Sequence, residues 1–394
     1  MRLSRYPQSA LANWRRVLRG SACPHFSPSL ATIVRRSPPE FGYAAERTAK
    51  RTRKTDEMAE ASRPKVVLWR AMHDPAGKAL LEDGGAEVEV VDSSDPAPLK
   101  AALRNADALY VRTPERLTAA LLDAAPTLVV VSTSGFGTDN IDIAAATARG
   151  VLVVNHRGFG RVPVAEHTIL LILAAAKGLV RADAAARASS GWGQRGGAPM
   201  FELDGKSVGI VGLGHIGAEL ARKLILGFRC RVRAYDPYVD PRLPLVTGVE
   251  MTDSLDDLLA GSEILCLVPA LTDETRGLIG ARELGLLPAG AVVVNTGRGQ
   301  VLDLDALVEG LDSGHLAAAG IDVFFPEPPP PDHPLLRHPK ATLTPHIAGL
   351  SVDTAPRVAR SVADQIFAAL KGEMPRFPVN PEAWQGPASR RPHP

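Results

Sequence analysis

Short β-branched runs alternate along the chain with Ala- and Leu-rich stretches of helical period. A first series begins at Lys65, with runs at 66–69, 88–91, 109–111, 129–131 and 151–154, and helical candidates at 77–82, 98–104, 119–124 and 141–149. A second begins at Ser207, with runs at 208–211, 232–235, 264–268, 291–294, 319–322 and 341–344. Strand–helix alternation of this kind predicts a parallel sheet with helices on both faces, and here it predicts two. Six runs in the second series match a complete doubly wound nucleotide fold.

Between the series lies a Gly-rich loop, Arg157, Gly158, Phe159 and Gly160, and then apolar positions at helical spacing from 162 to 188. That spacing predicts one long helix packed against both domains. A Gly/Trp/Pro loop follows at 190–199, and a last helix is expected at 353–371, before a Pro-rich tail without periodicity.

The chain has 394 residues, 45% of them hydrophobic, enough for about two domains. Its three cysteines, Cys23, Cys230 and Cys266, have no metal-ligand spacing and suit a reducing compartment, so no metal site is expected. The longest apolar stretch, 168–176, is too short to span a bilayer, so a soluble protein without a membrane partner is expected. Residues 1–57 hold twelve Lys and Arg against four acids, or +8; with a whole-chain net of +2, the remainder carries −6. A mildly acidic body does not point to nucleic acid. The basic segment, without an acid before Glu40, fits a disordered leader or an upstream start ahead of Met58, and has the composition of a transit peptide.

Gly212, Gly214 and Gly217 form a G-x-G-x-x-G loop in the context that gives the motif meaning, after a strand and opening a helix. Gly212 permits the tight turn, Gly214 lets a pyrophosphate approach the backbone, and Gly217 allows close helix–sheet packing. The anion would lie on the helix N-terminus beside His215 and Ile216. Asp236 lies nineteen residues after Gly217, at the end of the next strand, where a carboxylate accepts from ribose hydroxyls and repels a 2′-phosphate. The pattern predicts NAD over NADP, and Thr296 joins the expected cofactor set.

Arg298, Glu327 and His346 follow late strands of the second series, at the end where open α/β sheets bind ligands. Reduction of a 2-oxo acid by hydride needs a cation for the carboxylate, a proton donor for the carbonyl oxygen and a carboxylate to orient that donor. These three residues are of the types required. Singly, each has an ordinary reading as a loop charge or a capped histidine; their joint placement beside one cofactor loop favours chemistry.

The segments 212–217, 295–299, 322–328 and 344–349 together resemble the D-isomer-specific 2-hydroxyacid dehydrogenase family, over about 65–381. The resemblance implies an NAD domain of Rossmann type inserted into a flavodoxin-like substrate domain. The expected organisation is a basic extension at 1–62, a substrate-binding domain at 63–160 plus 347–381, an NAD-binding domain at 161–346 and a loose tail at 382–394. It also implies that Arg298 binds substrate, Glu327 supports His346, His346 is the acid/base and Asp322 contacts the nicotinamide carboxamide. Ser134, Gly135, Phe136 and Gly137 resemble the family's substrate loop, whose amides meet the carboxylate; a plain glycine turn fits equally. Glu166 and His167 match the start of the interdomain helix, and helix packing is the ordinary reading of His167.

The four prolines at 328–331 and Gly297 depart from the family pattern, and only Arg112 in 112–116 resembles the phosphoglycerate enzymes. The expected enzyme reversibly reduces a small 2-oxo acid with NADH and is a cytoplasmic homodimer. A co-repressor-like NAD-sensing interaction protein on the same fold is the alternative.

Overall fold

The computed structural model describes residues 63–392, apart from 94, 189–190, 193–199, 241 and 243–247. The expectations for residues 1–62 and for most of the 190–199 loop lie outside the described residues.

The first sheet contains β1 (Lys65–Trp69), β2 (Glu87–Val91), β3 (Ala108–Val111), β4 (Val130–Ser132) and β5 (Leu152–Val154), all parallel in the order β2-β1-β3-β4-β5. That is the flavodoxin-like order. Helices α1 (Ala76–Asp83), α2 (Pro96–Leu103), α3 (Ala119–Asp123) and α4 (Ile143–Ala148) make the crossovers. Side chains alternate between two cores: Val67 and Trp69 face one, Val66 and Leu68 the other.

Two helices follow where one was expected. α5 (Arg161–Lys177) ends at Gly178, whose left-handed φ of 57° caps it, and α6 (Leu179–Arg187) restarts beyond. Apolar spacing persists through the break because a single left-handed residue redirects the axis without altering the composition. α5 buries Ala165, Ile169, Leu171 and Ile172 against the second domain, whereas α6 buries no residue.

The second sheet comprises β6 (Ser207–Val211), β7 (Arg231–Tyr235), β8 (Glu250–Met251), β9 (Ile264–Leu267), β10 (Ala291–Asn295), β11 (Leu316–Ile321) and β12 (Ala341–Leu343). All are parallel, in the order β12-β11-β10-β9-β6-β7-β8. The six expected strands are joined by the two-residue edge strand β8, too short to leave a pattern. Chain order reverses between β6 and β9, the switch point where such sheets bind dinucleotides. Its helices include α7 (His215–Phe228), α8 (Leu255–Ala260), α9 (Ala281–Gly285) and α10 (Leu304–Asp312).

α11 (Ala355–Leu370) returns to the first sheet and buries Val362, Ala363 and Ile366 against Val66, Leu68 and Tyr110. The tail expected to be loose is anchored there as well. Trp384 is 6% exposed, and Arg390 Nη1 donates to the carbonyls of Ala125 and Leu128 at 2.7 and 3.1 Å. Isolated anchors of this kind have no periodicity to read.

Candidate active site

Strand register gathers the candidate residues at one edge. Val211 pairs with Leu267, Leu267 with Asn295, Asn295 with Ile321 and Ile321 with Leu343, so the residues that follow all emerge at the same carboxyl edge. Gly212, Thr296, Asp322 and Thr344 are the first beyond their strands.

Gly212 turns the chain with φ 91°, and a Cβ on Gly217 would lie 2.1 Å from the Gly212 carbonyl oxygen, so neither position tolerates a side chain. A Cβ on Gly214 would meet nothing within 4 Å, which leaves the backbone open to a ligand. α7 starts at His215, and no side chain caps its first amides, which are the donors a pyrophosphate needs. Ile216 is half-buried in the first turn. Partial desolvation and the nearby cations of Arg157 and Arg161 hold the His215 imidazole below its ordinary pKa.

Asp236 follows β7 and is stitched to the glycine loop, accepting from the Leu213 amide at 2.8 Å and from the Tyr238 amide at 2.9 Å. It remains half-exposed. Arg233, three residues earlier within β7, is held by Asp257 at 2.9 Å and Glu250 at 3.3 Å.

Arg298 stands on a turn closed by the buried side chain of Asn295, which accepts from the Gly297 amide and donates to the Arg298 carbonyl, both at 3.0 Å. Its Nε donates to Asp139 Oδ1 at 2.9 Å, and its Nη1 to the Gly297 carbonyl at 2.8 Å. A Cβ on Gly137 would sit 1.6 Å from Arg298 Nη2, so glycine there is required by the guanidinium itself. The 134–137 segment thus packs directly against Arg298. Ser134 bonds the buried Tyr110 phenol, the Gly135 carbonyl accepts from the His156 amide at 2.8 Å, and the Phe136 carbonyl accepts from Asn155 Nδ2 at 3.0 Å. The amides of Phe136 and Gly137 donate to no acceptor among the described residues.

His346 Nδ1 lies 2.8 Å from Glu327 Oε2, and Glu327 Oε1 accepts from the Phe324 amide at 3.0 Å. A carboxylate can only accept, so Nδ1 carries the proton and Nε2 is the atom free to exchange one. Both side chains are about a quarter exposed, at 29% and 24%.

A scan against family models matches residues 169–348 to "D-isomer specific 2-hydroxyacid dehydrogenase, NAD binding domain". The glyoxylate reductase of Thermofilum pendens is 39% identical over 332 residues, covering 82% of this chain and 96% of that protein. The putative D-isomer specific 2-hydroxyacid dehydrogenase of Polaromonas sp. JS6 66 is 31% identical with a TM-score of 0.73, covering 81% of this chain and 100% of that one. The chain belongs to the D-isomer specific 2-hydroxyacid dehydrogenase family.

The D-3-phosphoglycerate dehydrogenase of Mycobacterium tuberculosis is 41% identical over 315 residues, 80% of this chain but 58% of that protein. The chain therefore spans less than two thirds of that relative's length. Within the family, residues 169–348 are the NAD-binding domain, and the open backbone at Gly214, the free first-turn amides and the Asp236 carboxylate fit that cofactor.

Two of the expected cofactor residues take part in hydrogen bonds within the fold. The Thr296 hydroxyl lies 2.7 Å from Thr168, whose own proton goes to the Val164 carbonyl at 2.7 Å, so Thr296 donates into α5. Asp322 is fully buried. It accepts from Thr344 Oγ1 at 2.6 Å and from the Ile347 and Ala348 amides at 2.9 Å each. It anchors the loop that carries His346. Burial would raise its pKa, but the bonds from His167, Thr344, Ala348 and Ile347 outweigh it and hold the group below the carboxylate norm.

Asp139 and Thr344 were not foreseen. A lone acid in a glycine loop carries no signal until a cation is known to face it. The threonine reads as the end of a strand.

Proposed function

We propose that the chain is an NAD-dependent dehydrogenase that reversibly reduces a small 2-oxo acid to a D-2-hydroxy acid. The observation that carries this reading is the 2.8 Å contact between His346 and Glu327, on the same sheet edge as the dinucleotide loop.

Bound NADH supplies the hydride to the substrate C2. The Arg298 guanidinium, with the unpartnered amides of Phe136 and Gly137, binds the substrate carboxylate as a planar donor set. Protonated His346 gives its Nε2 proton to the carbonyl oxygen as the alcohol forms, and takes it back in the oxidative direction. Glu327 fixes the imidazole tautomer and stabilises the imidazolium. Gly214 and the start of α7 hold the pyrophosphate, and Asp236 holds the adenosine ribose. The substrate lobe is 63–160 plus 347–381 and the cofactor lobe 161–346, closing over the cleft to exclude water.

The protein works in the cytoplasm as a homodimer. The exposed Leu170, Leu179 and Val180 on α5 and α6 support association. Retention of the arginine, glutamate and histidine together supports catalysis over the interaction-protein reading. NADH oxidation across glyoxylate, hydroxypyruvate, pyruvate, phenylpyruvate and phosphohydroxypyruvate tests the proposal. Turnover of at least one is expected, and absence of turnover with all 2-oxo acids despite NADH binding would contradict it.

A further inference from the structure

His167, on the first half of α5, has no part in the substrate and cofactor roles proposed above, yet its ring is not used as packing bulk alone. Nε2 lies 3.0 Å from Thr344 Oγ1 and 3.5 Å from Asp322 Oδ1. Thr344 Oγ1 in turn lies 2.6 Å from Asp322 Oδ1. A hydroxyl has one proton, and the carboxylate can only accept. Thr344 therefore donates to Asp322 and accepts from His167, which fixes a directed relay from imidazole N–H through hydroxyl to carboxylate. His167 also lines an open groove of about 490 Å³ together with Leu170, Ala348 and Thr354.

The carboxylate at the end of this relay shapes the loop bearing the acid/base. Besides accepting from the Ile347 and Ala348 amides, Asp322 takes the His346 amide on its backbone carbonyl at 2.7 Å. His346 has φ 54°, a left-handed conformation that a residue other than glycine keeps only when its surroundings impose it. Asp322 is wholly buried, and a buried charge retains its place only when its lone pairs are filled.

We propose that His167 is a positioning residue: through Thr344 it satisfies Asp322, and so ties the interdomain helix to the backbone geometry of His346. The inference rests on the reading of His346 as the acid/base. The relay makes the side chain that looks like helix packing a determinant of turnover.

The test uses the full-length protein with NADH and whichever 2-oxo acid it turns over. H167F keeps a ring of similar size and removes the donor; T344V keeps shape and breaks the relay at its middle; H167Q restores an N–H within reach of the hydroxyl. H167F and T344V should each lower kcat at least tenfold, leave the NADH Kd within twofold and preserve cooperative melting. H167Q should recover most of the loss, and the H167F/T344V double variant should be no slower than the slower single one. Wild-type kcat in folded T344V would overturn the relay, as would equal losses in H167F and H167Q. T344V also decides the matter if H167F does not fold. Full turnover by H346A would instead sink the acid/base reading, whereas a dead H346A beside a normal T344V sinks only the relay.

Discussion

The Arg298 guanidinium donates through Nε to Asp139 Oδ1 at 2.9 Å, joining two loops 159 positions apart in sequence. The contact holds the guanidinium against the glycine loop at Gly137, and it couples the first lobe to the second. Replacing Asp139 by alanine should free the side chain and raise KM for the oxo acid by about tenfold, the size of one charge-assisted hydrogen bond of about 1.5 kcal/mol. Asparagine, which still accepts, should lose less. Steady-state kinetics check this, and an unchanged KM in D139A would remove Asp139 from the site.

The Glu327 carboxylate is divided between the imidazole of His346 and the amide of Phe324. E327Q retains the shape but offers the ring no charge. Turnover should fall by about a hundredfold or more, the scale on which general acid–base catalysis contributes. NADH binding by fluorescence titration should stay within twofold, because Glu327 does not touch the dinucleotide loop. Equal loss of binding and turnover would point to a collapsed site rather than a lost partner.

The proposed preference for NAD rests on Asp236, whose carboxylate holds the Leu213 amide at the end of β7. The wild-type protein should bind NADH more tightly than NADPH. D236S should narrow that preference at least tenfold, about 1.4 kcal/mol, by removing repulsion of a 2′-phosphate. Arg233 offers no compensation, being held by Asp257 and Glu250. Paired titrations with both nucleotides decide it; tighter NADPH binding by the wild type would be incompatible with the assignment.

His156 gives the fold a defined acid response. It is fully buried among Ser132, Thr133, Ser361 and Gln365, and burial pushes its pKa down to about 4. In the unfolded chain it titrates near the ordinary value of about 6.5, so between these values the unfolded state binds the extra proton. Stability therefore rises with pH across this window and is lost as pH falls from about 6.5 to about 4, by about 3 kcal/mol in all. Urea unfolding at stepped pH should trace that loss, and H156Q should flatten it; an identical slope in the variant would assign the loss to other groups.

Much of this architecture is legible in the chain because its strands are buried on both faces, which forces β-branched runs such as 291–294. The glycine loop is equally legible, since Gly212 and Gly217 are positions where a Cβ cannot exist. What escaped notice depends on hydrogen-bond demand inside the fold. The bonds of Thr296 to Thr168 and of Asp322 to the His346 loop join residues that no local spacing links. Gly178 breaks a helix without changing its apolar rhythm, and Trp384 and Arg390 anchor a tail through isolated side chains. The pairing of Asp139 with Arg298 exists only because the two lobes face one another.

The central claim is that His346 exchanges the proton in reduction of a 2-oxo acid, and comparing wild type with H346A tests it most directly. NADH oxidation should be followed at saturating substrate, with the NADH Kd measured on the same samples. H346A should show at least a thousandfold lower kcat with Kd within twofold. Near-normal turnover by folded, NADH-binding H346A would contradict it.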